Sequence, residues 1–251
     1  MTHPPPRRLG AALQLLLLCG CATGPQRDPA DPLEPLNRAT FRFNDTLDRH
    51  IAQPVARTYN RTVPRFVRTG VENVFSNLGD VTVMLNDFAQ LRLMDGMNDL
   101  MRVAVNSTFG LLGVLDIATP AGIARRDQDF GLTLGHYGMP AGPYLVLPLF
   151  GPSTFRDTAG FAVDQYGSPA TYARPALRNT LWGVDFVSTR ARYLNATNLL
   201  EQAALDRYLF VRDAYLGRRR TLLDEGKEAP LPDYGNGDGG KDDGGKKDGD
   251  K

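Results

Sequence analysis

Apolar residues recur along this chain at spacings of three and four, the period of a helix. Leu36, Phe43, Leu47 and Ile51 share one helical face, with Ala39 and Thr40 filling the turn between them. Val81, Met84, Leu85, Phe88 and Leu91 repeat the pattern, and Asp80 before them reads as an N-cap. Asp95 reads as the cap of the next helix, whose stripe is Met97, Leu100, Met101, Ala104, Val105 and Thr108, with Gly110 as its stop. Pro175 opens a longer helix carrying Leu177, Leu181, Val184, Val187, Ala191 and Leu194. A last stripe joins Ala204, Leu205, Tyr208, Leu209, Tyr215 and Leu216. It closes on Arg218, Arg219 and Arg220, cations suited to the negative end of a helix dipole, and the triplet reads as a solvated helix end, with contact to membrane phosphate the alternative. Alternation over five or more residues is hard to find and no internal repeat stands out, so the pattern predicts an all-α fold.

Four segments depart from this pattern. Leu9 to Leu18 is a nearly continuous apolar run behind Arg7 and Arg8, too short for the roughly 20 residues that span a bilayer. It reads as a secretory signal rather than a buried helix, because Pro4, Pro5 and Pro6 precede it and a Pro/Asp-rich stretch follows. Its ending Leu18-Cys19-Gly20-Cys21 resembles the bacterial lipobox, whose final cysteine is acylated and becomes the new N-terminus; an ordinary signal cleaved nearby is the alternative. Cleavage before Cys21 leaves one cysteine, which rules out an intramolecular disulfide and suits a lipid anchor of several acyl chains. In such lipoproteins Ala22, rather than Asp, after the cysteine implies the outer membrane. Asp233 to Lys251 is Gly, Asp and Lys with almost no apolar residues and is expected to be disordered. The expected organisation is a signal at 1–20, a lipidated tether at 21–32, a helical domain at 33–225 and a tail at 226–251.

The other two segments are apolar runs inside the helical domain, Phe109 to Leu115 and Tyr144 to Phe150, each punctuated by Gly or Pro. Packed core loops would explain them. With an acyl anchor nearby, seating in a membrane leaflet is the better reading, through Leu111, Leu112, Leu115, Leu145, Leu147 and Leu149.

Charge and chemistry narrow the function further. The chain carries a net charge of +1, which falls near −1 once Arg7 and Arg8 leave with the signal. No basic face calls for nucleic acid. Of three histidines only His50 and His136 lie beyond the signal, so a His-based metal site is not expected. His136 could pair with Asp127 or Asp129, but a lone histidine in a Gly-rich stretch is more often structural. No nucleophile elbow, phosphate loop or dinucleotide fingerprint is present, and no catalytic residue or cofactor is expected.

A series of blocks runs in order along residues 31–220. The first is Asp31-Pro32-Leu33-Glu34-Pro35-Leu36-Asn37-Arg38 with Phe41, Phe43-Asn44 and Leu47-Asp48. Next come Pro54-Val55-Ala56, Val63-Pro64, Val67-Arg68-Thr69-Gly70 and Asn73-Val74-Phe75-Ser76-Asn77-Leu78. Then follow Arg102, Asn106-Ser107-Thr108, Gly110, Gly113 and Asp116. The longest contains Asp129-Phe130-Gly131, Thr133-Leu134-Gly135, Gly142-Pro143-Tyr144, Leu147-Pro148, Gly151-Pro152-Ser153 and Arg156-Asp157. The last is Asp206-Arg207-Tyr208, Val211-Arg212 and Ala214-Tyr215. Each has a local reading too: Asp31 to Glu34 looks like a capping box with Pro32 at N1, the glycines of 131–152 suit a turn-rich loop, and Arg156 beside Asp157 suits a surface or cap pair.

Together the blocks resemble the MlaA (VacJ) family of outer-membrane lipoproteins. The resemblance implies a ring-like, all-α helical body with short interfacial membrane-embedded helices, lying in the periplasmic-side leaflet of the outer membrane. It implies association with trimeric porins and transfer of phospholipid through an amphipathic channel to a soluble periplasmic carrier. Asn37, Arg38, Phe41, Phe43 and Asn44 are the candidates for lining or gating that channel. Asp129, Gly131, Gly135, Tyr144, Pro148, Arg156 and Asp157 are candidates from the loop motifs. A porin-associated structural lipoprotein, or a tethered lipid hydrolase, are the alternatives.

Overall fold

A computed structural model describes residues 31–197 and 204–225; the signal, Cys21 and the C-terminal tail lie outside the described residues. The described fold is mostly helical. Helix α1 (Glu34–Leu47) passes through a π-helical turn (Asp48–Ala52) directly into α2 (Gln53–Thr62). Pro54 explains the wider turn: it has no amide to donate and its ring crowds the carbonyl four residues back, and a π turn absorbs both faults. Val63, extended as a residue before proline must be, and Pro64 then separate α2 from α3 (Arg65–Ala89). A short turn joins α3 to α4 (Leu93–Thr108), and these two helices form the most extensive helix pair of the fold.

Helix α5 (Phe130–His136) begins at Asp129, whose carboxylate accepts the Leu132 amide. Next comes an antiparallel hairpin, β1 (Tyr144–Leu147) with β2 (Gly151–Thr154), in register from Tyr144↔Thr154 to Leu147↔Gly151. The second apolar run is therefore not helical. Helices α6 (Phe155–Gly167), α7 (Pro175–Arg192) and α8 (Arg207–Glu225) complete the order, with a 3₁₀ turn (Pro169–Tyr172) before α7. Two small apolar clusters hold the body together. Ala56, Ala191 and Leu194 join α2 to α7, and Tyr144, Val146 and Tyr208 join the hairpin to α8.

Several local expectations are corrected. Asp80 caps nothing: α3 runs straight through it, and its carboxylate is buried. Asp95 sits inside the first turn of α4 rather than before it, binding Arg92 at 2.6 Å. Asp31 does not cap α1 either; its carboxylate instead takes the Asn37 amide at 2.8 Å and the Tyr208 hydroxyl. The arginine triplet does not end a helix, since α8 continues to Glu225 and Arg219 is buried. Gly131 and Gly135 lie in α5, not in a loop. A Cβ on Gly131 would meet the Asp157 carboxylate at 2.6 Å, and one on Gly160 would meet the α5 backbone, so paired glycines let α5 and α6 cross at close range.

The largest departure concerns which side of each helix faces inward. An amphipathic helix of a soluble domain turns its apolar stripe to the core. Here α4 does the reverse: Gly96, Asp99, Arg102 and Asn106 are buried, while Met97 and Met101 are each 51% exposed and Leu100 is also exposed. Helix α3 buries Gly70, Asn77, Asp80, Asn86 and Asp87, with Val83 the one large apolar side chain among them, and α1 exposes Leu36 and Phe43. Among the described residues, buried polar and charged side chains outnumber buried apolar ones. No described helix is long and apolar enough to cross a membrane.

Candidate functional site: a polar interior in an apolar shell

Buried charge is tolerated only when paired, because removing an ion from water costs several kcal/mol. The α3–α4 seam meets that condition. Arg102, 2% exposed, donates to Asp80 at 3.1 Å, to the Thr119 hydroxyl at 3.0 Å and to the Ile123 carbonyl at 2.7 Å, and lies 3.5 Å from Asp116. Asp80 also receives Arg125 at 3.0 Å. Asn106 accepts the amides of Ile117 and Ala118, which ties the loop after α4 to the same centre. One turn along, Arg126 bridges Asp95 and Asp99, and Asp87 lies 3.5–3.6 Å from Arg126 and Arg92. Burial, reinforced by the neighbouring Asp99, raises the Asp87 carboxyl to about 7 despite those arginines.

A cavity of about 200 Å³ opens between α3 and α7. Its walls include Glu72 and Ser76 from α3, Arg125, and Asp185, Ser188 and Arg192 from α7. Burial raises the Asp185 carboxyl above its ordinary value, opposed by the Thr189 hydroxyl and by Arg192.

A second buried network sits where α5, α6 and α8 meet. Arg219 binds Asp157 at 2.7 Å and also Asp129, Arg156 donates to Asp157 at 2.9 Å, and the Tyr215 hydroxyl donates to Asp157 at 2.8 Å. Burial tends to raise the Asp157 carboxyl, but Arg219, Tyr215 and Arg156 hold it below the usual range. Arg156–Asp157 is thus a buried structural pair, not a surface one. His136 packs edge-on against Tyr137, while Asp127 and Asp129 go to Arg218 and Arg219. Among the described residues, no group of His, Cys, Asp and Glu is arranged to hold a metal.

Of the five channel candidates on α1, Asn37 and Asn44 hold the hairpin. Asn37 donates to the Tyr144 carbonyl at 3.0 Å and accepts the Val146 amide at 2.9 Å. Two turns on, Asn44 donates to the Leu147 carbonyl at 2.9 Å and accepts the Leu149 amide at 2.8 Å. These carboxamides act as a surrogate strand along the open edge of β1. Arg38 binds Glu34 and Asp206 and stacks over Tyr208, 4.4 Å from the ring centroid; Phe41 meets the same ring edge-on. Phe41 and Asn44 also border a second cavity, of about 230 Å³, that Asp48 and Arg190 share. Phe43 points outward.

The seating candidates divide. Leu111, Leu112 and Leu115 are exposed, as is Leu149 at the hairpin tip beside Pro148; Leu145 and Leu147 are half-buried. Among the described residues, the non-glycine positions with left-handed backbone are Leu91, Leu111, Leu112 and Leu149. All four side chains are exposed, Leu112 at 79%. That conformation costs a leucine about 1–2 kcal/mol, so the fold bears strain to hold greasy side chains outward.

Sequence reasoning missed most of this interior: Asp87, Asp99, Ser188 and Arg219 were not singled out as buried, nor Arg125, Arg126, Asp185 and Arg192 as the groups that border it. The signal was present in the spacing of polar residues. Asn77, Asp80 and Asp87 fall at i, i+3 and i+10, and Gly96, Asp99, Arg102 and Asn106 at steps of three and four, each a second helical stripe.

Comparison with known proteins agrees with this architecture. The chain is 36% identical over 230 residues to the intermembrane phospholipid transport system lipoprotein MlaA of Escherichia coli (strain K12), covering 89% of this chain and 91% of that protein. It is 32% identical over 243 residues to the protein of the same description from Haemophilus influenzae, covering 90% and 95%. A solved structure reported as the "structural basis for maintenance of bacterial outer membrane lipid asymmetry" superposes with a TM-score of 0.69 at 36% identity, covering 78% of this chain and all of that one. With residues 29–222 also matching the MlaA lipoprotein family model, the chain belongs to the MlaA lipoprotein family.

Proposed function

We propose that this protein transports phospholipid at the outer membrane, removing molecules misplaced in the outer leaflet and passing them to a soluble periplasmic carrier, so that lipid asymmetry is kept. The observation that carries this reading is the reversed polarity of α3 and α4, with charge inside and methionine and leucine outside. A phospholipid cannot easily cross hydrocarbon, because each unsatisfied polar group of its head costs several kcal/mol. A polar interior hydrates the head while an apolar exterior leaves the acyl tails in lipid. No covalent step is needed, and gradients of lipid chemical potential or partner proteins set the direction.

In this reading Cys21 carries the acyl anchor, and the leucines of 111–115 and Leu149 seat the body in the periplasmic-side leaflet, with a trimeric porin beside it. Asn37 and Asn44 govern the path by fixing the hairpin against α1, Arg38 and Phe41 by holding Tyr208 of α8 to the same helix, and Phe43 from its outward face. Asp129, Gly131, Gly135, Tyr144, Pro148, Arg156 and Asp157 keep the helix crossings and hairpin that frame it. The test is outer-leaflet phospholipid, quantified in a strain lacking the protein. Surface phospholipid rises in that strain, the wild-type copy restores it, and a Cys21→Ala copy does not. An unaltered level in the deletion strain overturns the reading in favour of a purely structural role, and fatty-acid release by purified protein favours a hydrolase.

A further inference from the structure

Ser188 is 2% exposed, lines the cavity between α3 and α7, and its hydroxyl has no hydrogen-bond partner in the protein. Hydroxyls within helices ordinarily bond back to the carbonyl four residues earlier. Thr40, Thr46, Thr58, Thr62, Thr108, Thr180 and Thr221 all do so here. Ser188 does not, although its helix offers the same carbonyl. A buried hydroxyl left unmade costs about 1–3 kcal/mol, so this one is aimed at something that enters the cavity.

The charges around it say what. Arg125 is already balanced, because Asp80 and Asp116 stand against Arg102 and Arg125 in one neutral network. The cavity's remaining charges are Glu72 and Asp185 against Arg192, whose guanidinium is held over the Tyr193 ring at 5.1 Å. Two anions and one cation form a divided surface with an excess of negative charge. A head bearing only phosphate meets Arg192 but is opposed by two carboxylates. A head bearing phosphate and an amine satisfies both signs. The volume, about 200 Å³ against roughly 30 Å³ for one water, admits a group of that size.

We propose that this cavity is a headgroup site selective for zwitterionic, amine-bearing phospholipids over net-anionic ones, with Arg192 taking the phosphate, Asp185 and Glu72 the ammonium, and Ser188 a phosphate or ester oxygen. The inference rests on the transport reading and names the chemistry of its cargo.

The test uses the purified full chain in mild detergent, mixed with equimolar phosphatidylethanolamine and phosphatidylglycerol of identical acyl chains. Bound lipid is counted by mass spectrometry after gel filtration. The wild type retains the ethanolamine lipid in about five-fold excess, the size expected of partly exposed charge pairs. The Glu72→Gln, Asp185→Asn double variant brings the ratio to about one while still binding lipid, with its circular-dichroism melt as the check on folding. Because neither change removes the buried Arg102 network, a second, milder variant, Asp185→Asn alone, gives an intermediate ratio if the double variant fails to fold. Glycerophosphoethanolamine without acyl chains, added in excess, displaces the ethanolamine lipid when the head alone is recognised. A wild-type ratio of one, or a ratio unmoved by the substitutions, overturns the headgroup site and leaves the transport reading standing. Failure of the wild type to bind either lipid, in detergent and in vesicles, overturns both.

Discussion

Helix α4 offers a direct test of reversed polarity, because its two faces should respond to substitution in opposite ways. Arg102→Met removes the cation that binds Asp80, Thr119 and the Ile123 carbonyl. Arg125 still reaches Asp80, but Asp116 loses its buried counter-ion and a carbonyl loses its donor. Breaking a buried pair from one side costs about 3–5 kcal/mol, and at about 2–4 °C per kcal/mol for a domain of this size the melting temperature falls by about 6–20 °C. On the opposite face, Met97→Asp with Met101→Asp touches two side chains that are already half exposed. In aqueous detergent this pair leaves the melt nearly unchanged, within about 2 °C, as surface substitutions do. In lipid it matters. Each methionine gives about 1.5–3 kcal/mol when fully buried; half of that from each residue is about 2 kcal/mol, close to 30-fold in partition. The assay is flotation with phospholipid vesicles in a Cys21→Ala background, so that no acyl anchor holds the chain. A stable Arg102→Met protein, or undiminished flotation of the double aspartate variant, refutes the reversed arrangement.

Three further outcomes follow from the same geometry. Gly160→Ala puts a methyl group against the Gly131 backbone of α5, which cannot yield as a flexible side chain would; it costs about 2–3 kcal/mol, whereas Gly183→Ala in open space on α7 stabilises by about 0.5–1 kcal/mol, both read from denaturant melts. Asp87 holds its proton more tightly folded, at about 7, than unfolded, at about 3.9, so its contribution is complete below pH 4 and is lost as pH rises through 7. Stability between pH 5.5 and 8 therefore falls by about 2 kcal/mol and Asp87→Asn flattens the profile; a wild type that gains stability over this range contradicts the assignment. Leu111→Asp with Leu112→Asp removes no internal contact and does not lower the melt, since aspartate tolerates the left-handed backbone better than leucine, while vesicle flotation falls; unchanged flotation removes the seating role from this loop.

Much of the secondary structure was legible because periodicity depends only on spacing. Pro175 opens α7 as expected, and α4 stops before Gly110. The hairpin was not legible: Tyr144 to Leu147 carries apolar residues on both faces, Tyr144 and Val146 against α8 and Leu145 and Leu147 half outward, so no alternation marks it as a strand. The caps were misread for a related reason. Asp80 and Asp95 precede apolar stripes as caps do, but an aspartate on the buried face of a reversed helix produces the same pattern.

Which face turns inward is the deeper ambiguity. A stripe of methionine and leucine has the same moment whether it seeks a protein core or a lipid leaflet, so amphipathicity gives the axis and not its sign. The sign is carried by the opposite stripe. A helix facing water fills that stripe with Lys, Glu and Arg, long side chains that solvate freely; α4 places there Gly96, Asp99, Arg102 and Asn106, with small or short side chains on either side of one arginine. Short polar groups cannot reach out to water from a packed seam, and a glycine against the Phe88 ring serves only close approach. Such a stripe is interior by construction, and its apolar counterpart is then the surface. A fold built this way needs a surrounding medium that welcomes methionine and leucine, and a reason to keep charge dry. Moving a charged headgroup past hydrocarbon supplies both.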